Sequence, residues 1–378
     1  MMSADFNTNV LILGKTGAGK STLLNYLYGQ NMVIGKAGSP ETLKGFHKQQ
    51  PFTYRGLAIT VYDSWGLEAD KTQEWRGLLR EELERVDALS VRDWFHTVIY
   101  CLDAKASRLD DFEKREIIEK LLEGGVRLIF ALTKWDLCSV AEKEAAIDLV
   151  TKNYPSLDYV PICSISKKLR NGTVTKPQGR EDLFCAMCLN LRTNLVAKTH
   201  RLAREKLNEA LEKAQNKVLE YYDEETGPLG VFTYYDDELL DKMQKKALKV
   251  YPKKSSEVAA YLNDNYTEIN ALCSQVIASY TGKTIDIEEF QNIIAGEIFQ
   301  TGIEAWDNTW AEDFATIITT FLSGGLFQFA KKSLYKDKLK AGLKKISERL
   351  RQRLQEWIDD EDKTENRLKT LYLQYLKD

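Results

Sequence analysis

Gly14-Lys15-Thr16-Gly17-Ala18-Gly19-Lys20-Ser21 follows directly on an apolar run, Val10 to Leu13, and leads into a helical stretch, Lys20 to Tyr28. Strand, glycine-rich loop and helix in that order let backbone N–H groups curl around phosphates, and the helix N-terminus adds its positive dipole end. Lys20 is placed to reach the β and γ phosphates. Ser21 can offer a hydroxyl to Mg²⁺, and Thr22 a further phosphate donor. Gly14, Lys15, Gly17, Ala18 and Gly19 complete the cradle. The stretch predicts nucleoside triphosphate binding.

Outward from this loop, short apolar runs alternate with helical stretches. Leu57 to Tyr62, Thr97 to Leu102, Arg127 to Leu132 and Tyr159 to Ile162 read as further strands, with Phe52 to Tyr54 as an antiparallel edge strand turning at Arg55-Gly56. Leu109 to Glu123 and Ala141 to Asn153 read as helices, and a charged helical insert spans Lys71 to Asp93. The alternation predicts an α/β domain over residues 1–195, a mostly parallel, doubly wound sheet with helices on both faces.

From Glu181 the character changes to long amphipathic helices, and residues 196–378 read as an all-α bundle. Its prolines, Pro228 and Pro252, are expected at breaks. Leu195, Leu202, Leu207, Leu211, Ala214, Val218 and Tyr221 form one apolar stripe; Leu339, Leu343, Ile346, Leu350, Leu354 and Trp357 form another. Both need a partner helix, and mutual burial within one chain is the expected solution.

Thr133-Lys134-Trp135-Asp136 ends a strand where such a sheet presents its base-binding loop. An aspartate there accepts hydrogen bonds from guanine N1–H and the exocyclic amine. Adenine has a bare N1 and no amine at position 2, so GTP is expected over ATP. The Lys134 stem can lie along the base plane. Cys163-Ser164-Ile165 fits the loop whose backbone amide meets guanine O6.

These motifs, in this order over Asn9 to Lys168, resemble those of the translation-factor class of P-loop GTPases, in the region of the Era-like, septin-like, interferon-inducible and dynamin-like groups. The resemblance implies a Ras-like G domain, GTP and GDP as ligands, Mg²⁺-dependent hydrolysis, and a switch read out by the helical half. Within it, Thr42 of Ser39-Pro40-Glu41-Thr42 matches the threonine that caps Mg²⁺. Asp63 of Asp63-Ser64-Trp65-Gly66 matches the aspartate that holds Mg²⁺ through water, and the Gly66 amide meets the γ phosphate. Lys20, Thr42 and Gly66 are thus the expected catalytic groups, and Ser21, Thr42 and Asp63 the metal-binding ones. Trp65 stands where most relatives carry proline. Leu67 occupies the position of the glutamine that orients water in small signalling GTPases. An aliphatic side chain cannot do so, which predicts slow intrinsic turnover. The resemblance to hydrophobic-substituted GTPases implies that dimerisation across the nucleotide face, a monovalent cation or a partner residue completes the site; Gly17, where cation-activated members carry asparagine, argues against the cation, and dimerisation is the leading expectation. Lys15, Arg55 and His47 are candidates to help there.

Composition narrows the partners. Basic and acidic residues nearly cancel, 53 against 56, so no global field favours nucleic acid. Six irregularly spaced cysteines in a chain of 378 residues fit a reducing cytosol. Cys185-x-x-Cys188 lacks a second ligand pair and reads as buried small residues. The 17-residue uncharged run from Phe314 to Ala330 is broken by Gly324-Gly325 and reads as a core helix ahead of a membrane-inserting tip. The expected protein is therefore cytoplasmic, at most peripheral to a membrane, pairing with itself and offering its helical half to a protein partner. The alternatives are a non-catalytic GTP-binding scaffold and a dynamin-like membrane-associated GTPase.

Overall fold

The computed structural model describes residues 7–29, 46–64, 72–166, 172, 174–227, 237–281 and 332–377. Thr42, Trp65, Gly66, Leu67, Pro228 and the run 314–330 lie outside these residues.

The chain runs β1 (Asn7–Leu13), α1 (Lys20–Tyr28), β2 (Phe46–Lys48), β3 (Phe52–Tyr54), β4 (Leu57–Ser64), α2 (Thr72–Asp87), β5 (Thr97–Asp103), α3 (Glu119–Glu123), β6 (Leu128–Thr133), α4 (Val140–Asn153) and β7 (Tyr159–Pro161). Strand order is β2-β4-β1-β5-β6-β7, with β3 also pairing β4. The β4, β1, β5, β6 and β7 pairings are parallel, and β2 and β3 are antiparallel to β4. Strands β1, β5 and β6 are buried nearly end to end, as strands covered on both faces must be. Because β1 sits between β4 and β5, the crevice past its C-terminal end is the topological switch point, and the glycine-rich loop opens there. The expected α/β plan is the observed one.

Three local expectations change. β2 was not foreseen, since Phe46-His47-Lys48 is too short to show a strand period; its pairing with β4 makes it one. The helix expected from Leu109 to Glu123 contains a π-helical segment, Glu113–Ile118. That wide turn carries Glu113 inward, where it is 2% exposed and accepts from the Tyr100 hydroxyl at 2.6 Å. Pro252 does not break a helix, because α6 (Asp237–Thr281) runs through it. A proline inside a helix forfeits a backbone bond and costs about 3 kcal/mol. Burial of Ala247, Tyr251, Val258 and Leu262 on the flanking turns offsets that cost.

Two compact units emerge. The first holds residues up to Lys198 with Glu268–Ile285 and Lys369–Asp378; the second holds Thr199–Thr267 and Asp286–Leu368. The division falls at Lys198 within α5 (Arg180–Thr226), three residues past 195, and the first unit takes in pieces of the helical half. Within the second unit, α5, α6 and α7 (Lys332–Lys377) bury their stripes against one another, as mutual burial requires. Each stripe ends one residue later than the spacing suggests. Tyr222 and Ile358 are fully buried, while Tyr221 and Trp357 are only half-buried, because a step of four continues from Val218 and Leu354. Trp357 stacks edge-on against His200 and Tyr266, with ring centroids 5.7 and 6.0 Å away, so one residue from each helix meets there. No helix among the described residues is long and apolar enough to cross a membrane.

A buried histidine sits in the first unit. His96 Nδ1 accepts from the Asn9 backbone N–H at 3.1 Å, and Nε2 lies 2.8 Å from the Val91 carbonyl, so the neutral ring serves both neighbours. Burial pulls its pKa down to about 4, against a smaller upward pull from the Val91 carbonyl bond. Between about pH 6.5 and about pH 4 the unfolded chain holds a proton that the folded chain does not, so stability falls as pH drops through that window. The loss approaches about 3 kcal/mol. Urea unfolding midpoints across the window should show this slope in the wild type and a shallower one in His96→Gln; parallel slopes would refute it.

Candidate functional site

The glycine-rich loop is shaped by close approach. A Cβ on Gly14, whose φ is +140°, would stand 2.6 Å from the Cys101 carbonyl oxygen of β5. Side chains are excluded there by backbone, not by preference. Lys20 opens α1 behind Gly19, a left-handed cap with φ 89°, and is only 8% exposed. Its ammonium donates to the carbonyls of Gly14 at 2.7 Å and Lys15 at 3.0 Å, folding over the loop it serves. Burial lowers its pKa, partly offset by Cys101 and Asp63. Ser21 and Thr22 are exposed at the helix mouth.

Asp63 lies near the end of β4. Burial raises its pKa, opposed chiefly by the nearby ammonium of Lys20. Its Oδ1 is buried and meets no hydrogen-bond donor of the protein. A carboxylate so placed gains from a cation, which fits the magnesium role. The strand register sets His47 of β2 directly opposite Asp63, a juxtaposition that only the sheet creates.

The base loop closes on the same crevice. Thr133 ends β6 and its hydroxyl donates to the Ala18 carbonyl at 2.6 Å, tying this loop to the phosphate loop. Lys134 takes a left-handed φ of 56° and its ammonium pairs with Asp103 at 2.5 Å, which stretches its stem across the loop. Asp136 presents a buried Oδ2 without a donor, and the Cys163 thiol beside it donates to the Ile165 carbonyl at 3.3 Å. Cys163 is held by a two-way backbone bridge to Gln178, which fixes the loop that carries Ser164 and Ile165. One pocket is lined by Gly19, Thr22, Thr133, Lys134, Asp136, Leu137, Ser164 and Ile165. Thr133, Lys134, Asp136, Ser164 and Ile165, all named from sequence, therefore face a shared space, while Trp135 and Cys163 do not line it. The orphaned oxygens of Asp63 and Asp136 and the looped ammonium of Lys20 are what a magnesium nucleotide with a guanine base would satisfy. Thr42 and Gly66, expected to complete the γ-phosphate end, lie outside the described residues.

Two further residues join the loop that spacing did not reveal. Lys15 pairs with Glu113 at 2.6 Å and Asp110 at 2.9 Å. Burial pulls its pKa down, but these hydrogen bonds outweigh it and the net shift is upward. Lys15, an expected helper across a dimer face, is thus held by its own domain. Arg55, at the β3–β4 turn, is likewise paired with Glu181 at 2.8 Å. The signal for Glu113 was an acid at a position where a helical period calls for an apolar residue.

Residues 9–134 match the family model of the 50S ribosome-binding GTPases. Those residues form a P-loop GTPase domain. The curated relatives include GTPase Der of Borreliella afzelii (strain PKo), 29% identical over 185 residues, covering 48% of this chain and 39% of that protein. GTPase Der of Borreliella burgdorferi is 31% identical over 166 residues, covering 43% of this chain and 36% of that protein. The chain thus spans well under half the length of these relatives. Among solved structures, the G domain of the T. maritima FeoB iron transporter is 20% identical with a TM-score of 0.31, covering 48% of this chain and 96% of that one. The match to the family model ends at Lys134, two residues short of Asp136.

Proposed function

We propose that the protein is a Mg²⁺-dependent GTPase, converting GTP to GDP and phosphate, in which nucleotide state controls self-assembly. The observation that carries this reading is the buried, donorless Oδ2 of Asp136 in a pocket that also reaches Gly19 of the phosphate loop. A carboxylate desolvated without a donor is costly unless a ligand supplies one, and guanine supplies two. In this reading Lys20 grips the β and γ phosphates. Ser21 and Thr42 would hold the magnesium ion, Asp63 would serve it through water, and the Gly66 amide would meet the γ phosphate. Mg²⁺ held there would neutralise the negative charge of the transferring phosphoryl group.

Leu67 leaves the attacking water without a side-chain acceptor. A second copy then completes the site, and the helical half carries the change to a protein partner in the cytosol. Intrinsic turnover should be slow, in the range of about 10⁻⁴ to 10⁻² per second. Steady-state GTP turnover per molecule, measured over a wide range of protein concentration with no added partner, should rise roughly tenfold or more as copies pair. A flat, very slow rate with GDP that co-purifies would overturn self-activation. It would favour a structural nucleotide on a scaffold, a reading that Leu67 also allows.

A further inference from the structure

The second unit contains a concentration of positive charge that the GTPase reading does not use. Helix α6 directs Lys242, Lys245, Lys246, Lys249 and Lys253 along one face, and Lys217 and Tyr221 of α5 close the other side. Together they line a cavity of about 560 Å³ in which Glu257 is the only acidic residue. That size lies within the range of small-molecule sites.

Local carboxylates account for only some of these charges. Lys242 pairs with Glu225 at 3.0 Å, Lys245 with Asp241 at 2.6 Å, and the neighbouring Lys254 with Glu257 at 2.5 Å. Lys246 lies over the Tyr221 ring, 4.4 Å from its centroid. Lys217, Lys246, Lys249 and Lys253 have no carboxylate within ion-pair distance among the described residues. Like charges gathered in a concave site repel one another, and a ligand of opposite sign removes that penalty.

The form of the site selects the ligand. Lys246, Lys249 and Lys253 follow helical steps of three and four, so these residues stand about one turn apart along α6. Lys217 faces them from the other helix. Lysines act as point charges and take phosphate from any direction, whereas carboxylates are better matched by the planar fork of arginine, which the cavity lacks. The one aromatic face, on Tyr221, is already covered by Lys246, which leaves no platform for a stacked nucleobase. We propose that this groove binds a small anion carrying several clustered phosphates, either free or as the phosphorylated headgroup of a lipid.

Isothermal titration of the full chain with inositol hexakisphosphate tests the proposal. One saturable site is expected, with affinity reduced at least about tenfold in Lys249→Gln/Lys253→Gln. Affinity should be kept in Lys340→Gln/Lys344→Gln, an equal charge change elsewhere on the helical unit. Lys20→Ala should bind the probe as the wild type does. Absence of saturable binding, equal losses in the two double variants, or loss in Lys20→Ala would each overturn the groove as the site. Flotation with phosphatidylcholine vesicles, with and without phosphatidylinositol bisphosphate, then separates the sources. Lipid-dependent flotation lost in Lys249→Gln/Lys253→Gln assigns a headgroup. Binding of the soluble probe without flotation assigns a free anion.

Discussion

Asp136→Asn should lose guanine nucleotides by about a thousandfold and gain xanthine nucleotides. The Asp136 Oδ2 is buried, has no donor in the protein and opens on the pocket shared by Gly19, Thr22 and Thr133. Guanine N1–H and its exocyclic amine are both donors, so a carboxylate satisfies both. An asparagine amide turns one acceptor into a donor, which faces the guanine amine unfavourably and the xanthine carbonyl favourably. Sites built on buried hydrogen bonds reject the wrong partner by several orders of magnitude, because a polar group is then left unpaired. The neighbouring loop is held by the backbone bridge between Cys163 and Gln178 and by the Cys163 thiol on the Ile165 carbonyl, none of which the substitution touches. Competition between GDP and XDP for a fluorescent nucleotide measures the exchange. Unchanged guanine preference would refute the assignment of the base loop.

Lys20→Ala should abolish triphosphate binding while leaving the empty protein as stable as before. Lys20 is 8% exposed, and its ammonium donates to the Gly14 and Lys15 carbonyls. Among the described residues no carboxylate pairs with it, so burial works against its charge, as its lowered pKa reflects. Truncation therefore relieves a desolvation cost at the same time as it removes two hydrogen bonds. Toward a nucleotide there is no such compensation, since the charge-assisted contacts to phosphate vanish. A loss of about a thousandfold, or about 4 kcal/mol, is expected. Thermal melting with and without GTP and Mg²⁺ separates the two effects: the unliganded midpoint should hold and the nucleotide-induced rise should disappear. Tight GTP binding by the variant would overturn the site.

Much of the P-loop GTPase domain was legible because its signals are local. A glycine loop between an apolar run and a helix needs no distant residue to be recognised, and Thr133 to Asp136 is readable once a strand is seen to precede it. The Phe52–Tyr54 and Leu57–Ser64 hairpin was equally open, with Arg55-Gly56 at its turn. Less legible were features whose cause lies elsewhere in the fold. β2 exists because β4 offers an edge, α6 passes Pro252 because neighbouring turns are buried, and the π turn at Glu113 exists where Tyr100 and Lys15 receive its carboxylate.

By itself the sequence determined the α/β nucleotide fold, the phosphate loop, the Thr133 to Asp136 loop at the end of a strand and an amphipathic helical half, since each rests on residue types at short, regular spacing. The tertiary structure decided what those spacings cannot carry. It set His47 opposite Asp63, committed Lys15 and Arg55 to acids of their own domain, and tied Thr133 to Ala18. It also gathered lysines from two helices into one groove. All of these join residues far apart in the chain, and only the packing of strands and helices brings such residues within reach of one another.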